Sequence, residues 1–166
     1  MKFCALLMGS LLLWVGSVYS NDTVADSRGT ILFVYEEKNE LIDFWVEQFK
    51  TAFINQNRSV EYVAGADATK KNIESYSSVV IYGAVQAFTF KGPVRDWLKS
   101  DVNLAGKKVH LMVTASRWFA SDYFKQLKKL LTKKNAETIN AVSAATAKMS
   151  NTEKTTFVNN FIKNIP

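Results

Sequence analysis

Two apolar patterns take turns along residues 30–165. Short runs of consecutive β-prone residues alternate with stretches in which apolar residues return every three or four positions. The first run is Ile31-Leu32-Phe33-Val34-Tyr35. It has no in/out alternation, which predicts a central parallel strand buried on both faces. The turn after it is Glu36, Glu37, Lys38 and Asn39, with Asn39 placed to cap a helix. Leu41, Ile42, Trp45, Phe49, Ala52 and Phe53 then form a core-facing helical stripe, and residues 55–57 end it. Residues 59–63 alternate and are less apolar, so a second strand is expected nearer an edge. Asp67 is placed to cap a short helix through Tyr76, with a weak apolar face at Ile73 and Tyr76.

The third run, residues 78–83, is strongly apolar and reads as a strand. A loop over 84–92 leads to a helix that opens with Pro93 and presents Val94, Trp97 and Leu98. A turn at 103–106 precedes a fourth strand over 108–114. The loop 115–120 follows, and Ser121 or Asp122 is the expected cap of the next helix. That helix carries Tyr123, Phe124, Leu127, Leu130 and Leu131 on one face and Lys125, Lys128, Lys129, Lys133 and Lys134 on the other. Residues 137–142 are a weaker fifth strand. Ser150 and Glu153 fit a capping box for the last helix, which shows Phe157, Val158, Phe161, Ile162 and Ile165. Five strands and five helices in strict alternation predict an α/β fold, with a parallel sheet covered on both faces by right-handed crossovers.

The first twenty residues carry a different pattern. Lys2 precedes an apolar run over 3–15, and Val18-Tyr19-Ser20 has the small or tolerated residues of a cleavage site. A signal peptide over 1–20 is expected, hence an exported protein, periplasmic or extracellular. The alternative is a membrane anchor, but the run is shorter than the roughly 20 residues that span a bilayer. Residues 21–29 are a polar, flexible lead and 30–166 form one domain. No membrane span is expected after cleavage. The single cysteine, Cys4, falls within the leader, so the remaining chain has no thiol for a disulfide, a nucleophile or a metal.

Charge adds one feature. Loss of Lys2 with the leader takes the formal charge from +6 to +5, and seven lysines lie between Lys107 and Lys134. Such a surface attracts acidic proteins, anionic lipid or nucleic acid. The bland alternative is a solvated helix face. No run of five or six basic residues occurs, and no nucleic-acid partner is expected.

Little side-chain chemistry remains. His110 is the one histidine and sits inside a strand, as a structural histidine does. Catalytic triads and ordinary zinc sites are unsupported, and no G-x-S-x-G or P-loop pattern occurs. Glu36, Glu37 and Asp67 each follow a strand and are placed to meet near the top of the sheet, as acids do in a receiver domain. A receiver needs an aspartate where this chain has Tyr82-Gly83. Neither a catalytic nor a metal-ligating residue is assigned.

Three passages resemble the flavodoxin-like family. Residues 78–85, SVVIYGAV, are similar to its third strand and following loop. Val94-Arg95-Asp96-Trp97-Leu98 followed by Leu104-Ala105-Gly106-Lys107-Lys108-Val109 resembles its "v-x-x-f-l … l-x-G-K-k-v" passage. Val113-Thr114-Ala115-Ser116 resembles the end of its fourth strand. The resemblance implies a three-layer, doubly wound sheet of five parallel strands in the order 2-1-3-4-5. It also implies FMN at the carboxyl ends of the strands, the switch point of open α/β sheets. Carried over by position, Asn39 belongs to the phosphate loop. Gly83, Val85, Phe88 and Phe90 belong to one isoalloxazine loop, and Thr114, Ser116 and Trp118 to the other, with Arg117 placed to meet an anion. The family's Ser/Thr-x-Thr-Gly-Asn-Thr pattern is replaced here by the Glu36–Asn39 turn, whose carboxylates repel a phosphate.

Two functions follow. One is an FMN-binding electron carrier with a redox partner, or a flavin or quinone reductase on the same fold. The other is a cofactor-free binding module that contacts a macromolecule through its aromatic loops or its lysine-rich helix.

Overall fold

The structure is a computed structural model that describes residues 28–85 and 90–165. The expected signal peptide, most of the polar lead and Phe88 lie outside the described residues.

Five strands form one parallel sheet: β1 (Ile31–Tyr35), β2 (Val60–Ala64), β3 (Ser78–Val85), β4 (Lys108–Ala115) and β5 (Glu137–Ala145). Their order is β2-β1-β3-β4-β5, as expected, and every neighbouring pair is parallel. Four α-helices cover it: α1 (Glu40–Asn55), α2 (Pro93–Lys99), α3 (Ala120–Lys133) and α4 (Asn151–Ile162).

Alternation along each strand sends side chains to two cores. Leu32 and Val34 of β1, Val79 and Ile81 of β3, and Leu111 and Val113 of β4 face α2 and α3. Phe33, Val80, Tyr82 and Met112 face α1 and α4, where they meet Trp45, Phe49, Phe53 and Phe161. The rings of Phe33 and Phe49 lie 4.7 Å apart. Each such side chain, fully buried, contributes about 1.5–3 kcal/mol, and α1 alone buries three aromatic ones.

The helix ends follow local chemistry. Asn39 Oδ1 accepts from the Ile42 N–H at 3.0 Å, the expected cap of α1. Ser150 and Glu153 form the expected reciprocal box at α4. Asn57, at φ 52°, and Gly106, at φ +69°, take the left-handed turns that end α1 and precede β4.

Three expectations are corrected. The β2–β3 crossover holds no α-helix; it makes two 3-10 turns, Ala68–Lys70 and Ile73–Ser75. Asp67 provides no cap because its carboxylate takes the Lys70 ammonium at 2.7 Å, and Asn72 starts a second turn by accepting from Glu74 N–H. Neither Ser121 nor Asp122 caps α3. The backbone turns earlier, through Ala120 N–H to Arg117 and Ser121 N–H to Trp118, so the helix starts behind Phe119. Finally, β5 extends to Ala145, beyond the expected Val142. Its register skips Ile139, which bulges outward and is 44% exposed.

His110 lies on β4, fully buried on the α1/α4 side, with neither ring nitrogen hydrogen-bonded. Burial, then the charges of Arg58 and Lys108, push its pKa down to about 4. The folded pKa lies below the ordinary 6.5, so this group lowers stability as pH falls from 6.5 through about 4. His110→Leu is expected to raise stability at pH 7 by about 1 kcal/mol and to remove that acid-side loss. Urea unfolding across that range checks both effects, and a variant less stable at every pH would show that the imidazole has a partner.

Candidate functional site

β1 ends at Tyr35 and α1 begins at Glu40, so the turn between them has only four residues. Glu36 continues the α2/α3-facing row of Leu32 and Val34, and this sets its direction. Its side chain does not reach the solvent rim; Glu36 is 2% exposed. Oε1 accepts from the Tyr123 hydroxyl at 2.7 Å, and Oε2 from the Val94 N–H at 3.3 Å. One carboxylate thus ties the end of β1 to the first turn of α2 and to α3.

Two glycines make that approach possible. A Cβ on Gly92 would stand 2.5 Å from Glu36 Oε2, and one on Gly65 would stand 2.6 Å from the Pro93 backbone. The start of α2 therefore presses directly onto the ends of β1 and β2. Tyr123 is flanked on its other side by Phe90, whose ring stacks on it at 5.9 Å and 10°.

Burial raises the Glu36 pKa to about 7, and Asp96 raises it further; hydrogen bonds from Tyr123, Val94 and Ala84 hold it down in part. Burial also raises the Tyr123 phenol, so the phenol stays protonated and donates. The Glu36 carboxyl therefore titrates near neutrality, and Tyr123 is its resident partner. The apolar periodicity of α3 puts Tyr123 in the core stripe. A hydroxyl at a core-facing position was the available signal of a buried acceptor nearby.

The remaining expected site residues fall into two groups. Gly83 is not in a loop: it lies inside β3, where a Cβ would meet Leu127 Cδ1 at 2.8 Å and Tyr123 Cε1 at 3.2 Å. Its bareness lets α3 approach the sheet. Val85 is buried at the end of β3. The Thr114 hydroxyl is buried 2.8 Å from that of Tyr82. These three are built into the body of the fold. Asn39 is exposed, with its side-chain oxygen spent on its own helix. Ser116 is exposed, and its carbonyl accepts from Ala147 N–H at 3.1 Å. Trp118 is 65% exposed, its ring 4.0 Å from that of Phe119. Phe90 and Phe119 meet edge to face at 6.5 Å. Phe90, Phe119 and Trp118 thus form an aromatic rim over the α2/α3 side.

The three acids do not assemble. Glu36 is turned inward, Glu37 is exposed, and Asp67 pairs with Lys70. Among the described residues no group of three metal-ligating side chains is brought together, and no helix is long and apolar enough to cross a membrane.

This is the flavodoxin fold. It is similar to oxidised flavodoxin 2 from Bacillus cereus, at a TM-score of 0.63 and 16% identity over 81% of this chain and 96% of that one. It is likewise similar to general stress protein 14 from Treponema denticola in complex with FMN, at 0.60 and 14% over 81% and 96%. A Fusobacterium nucleatum flavodoxin bound to flavin mononucleotide matches at 0.61 and 11% over 82% and 96%. No protein-family model and no curated protein matches the chain.

An FMN phosphate does not fit the β1–α1 turn. Helix N-termini attract anions through free N–H groups and their dipole. Here the Ile42 N–H is taken by Asn39, and Glu40 and Asp43 stand in the first turn of α1. Glu37 adds a further carboxylate beside them, and the turn has no glycine to let backbone wrap an anion.

The Glu36 folded pKa of about 7 exceeds the ordinary 4.5, so its contribution is fully present below pH 4.5 and is lost as pH rises through about 7. The stability of Glu36→Gln relative to the natural chain is expected to improve over that interval by on the order of 3 kcal/mol. Chemical unfolding of both chains at matched pH cancels the opposing His110 effect. A difference independent of pH would show Glu36 ionised throughout.

Proposed function

We propose that this chain is an exported flavodoxin-fold binding module that does not carry FMN in the family's phosphate pose. One observation carries the reading. The turn that would cradle the phosphate has one carboxylate sealed against Tyr123 and Val94, and acids around a helix start already capped by Asn39. The leader pattern over residues 1–20 supports export, and a chain with no thiol beyond Cys4 suits an oxidising compartment.

The second reading is an FMN electron carrier. It is favoured by the likeness to flavodoxins, one of them bound to FMN, and by Trp118, an exposed ring on the rim where the family holds its flavin. In that reading Asn39, Gly83, Val85, Phe88, Phe90, Thr114, Ser116 and Trp118 would surround the cofactor. Against it, the Thr114 hydroxyl is already engaged by Tyr82, and Phe90 by Tyr123.

FMN titration followed by flavin fluorescence separates the two. The purified chain is expected to be colourless and to leave FMN fluorescence unchanged up to about 100 μM, a level at which even weak sites fill. Saturable quenching at micromolar FMN, relieved by Trp118→Ala, would overturn the module reading and establish the carrier.

A further inference from the structure

The lysines of α3 do not form an even solvated face. Between α2 and α3 runs a surface groove of about 210 Å³. Arg95 and Lys99 line its α2 wall, Lys129 and Lys133 its α3 wall, and Gln126 and Leu130 lie between them. Among the described residues none of these four cations is in an ion pair with a carboxylate, unlike Lys50, Lys70, Lys71 and Lys125. Each wall repeats at i, i+4, so the Cβ atoms of its two cations lie one above the other, about 6 Å apart. Packed helices stand about 8–10 Å apart. The four cations are therefore attached along two facing rows.

We infer that this groove docks an extended acidic polypeptide segment. This deepens the binding-module reading and rests on it, by naming the surface and the chemistry of the partner. The argument is charge complementarity matched to spacing. An extended chain sends successive side chains to opposite sides and repeats on each side every 6.4–6.8 Å or so. A run of four consecutive acidic residues thus sends two carboxylates to the α2 row and two to the α3 row, at nearly the pitch of the cations. The half-buried Leu130 between the rows gives the segment's backbone and methylenes an apolar seat. A membrane surface is flat and does not enter a groove between helices. Single-stranded nucleic acid is held by aromatic platforms, and among the described residues no aromatic side chain lines the groove.

The probe is a fluorescein-labelled peptide with four consecutive glutamates between Gly-Ser flanks, titrated with the full chain by anisotropy at about 50 mM salt, where exposed charges still interact. Saturable binding is expected. It should weaken about tenfold in K129E/K133E but less than about twofold in K148E/K163E, which makes the same change in net charge elsewhere. A glutamine version of the peptide should not bind. All four lysines are exposed, so both variants should fold, and circular dichroism confirms it. Equal weakening in the two variants would reduce the effect to net charge and overturn the groove. So would tighter binding of a poly-dT oligonucleotide or of phosphatidylserine vesicles through Lys129 and Lys133. The flavin titration is read separately. Groove-dependent peptide binding by a chain that also takes up FMN overturns the flavin-free reading and upholds the groove; a flavin-free chain that ignores the peptide overturns the groove alone.

Discussion

A carboxylate held out of water organises the functional end of this molecule. Glu36 reaches the Tyr123 hydroxyl at 2.7 Å and the Val94 N–H at 3.3 Å, and so joins three elements far apart in the chain. A buried carboxylate is tolerated when donors surround it. Here the surroundings are only partly sufficient, and the group sits near pKa 7 instead of falling below its ordinary value. The close glycine at position 92, the start of α2 over Gly65, and the Phe90 ring on Tyr123 are all arranged around that contact. At the position of a flavodoxin's phosphate loop, this chain has a brace between β1, α2 and α3.

Fold and site chemistry rest on different residues. The parallel sheet is stabilised by apolar residues on both faces, which are indifferent to what the loops bind. Flavodoxins of 11–16% identity therefore superimpose over nearly their whole length. Of the β1–α1 turn, Glu36 is buried while Glu37, Lys38 and Asn39 are exposed, so the turn takes no part in the apolar packing of either core. The cationic groove runs between α2 and α3, and its Arg95 is next in the chain to Val94, whose N–H meets Glu36.

The fold was legible in the sequence because its periodicities were strong. The buried runs of β1, β3 and β4 and the α1 stripe correspond to the observed elements, and Asn39, Ser150 and Glu153 act as their types suggest. The weak segments misled. Between β2 and β3 the apolar positions are sparse, and side chains that looked like helix caps bonded locally instead, giving 3-10 turns. At the start of α3 the backbone turn preceded the polar residues that looked like caps. The extra length of β5 was hidden because a bulge at Ile139 breaks its alternation.

The candidate site was legible only as a location. Sequence alone determined that the strand ends converge at one rim, that acids replace the expected phosphate loop, and that no thiol or second histidine serves the domain, because these follow from residue inventory and from order along the chain. Tertiary structure decided where the side chains go. Glu36 turns inward because strand alternation aims it at α3, where Tyr123 waits; Gly83 is a packing glycine because Leu127 and Tyr123 fill the space above it. The facing of Arg95 and Lys99 against Lys129 and Lys133 is likewise a product of packing, since two helices separated by a strand meet only when the sheet brings them side by side.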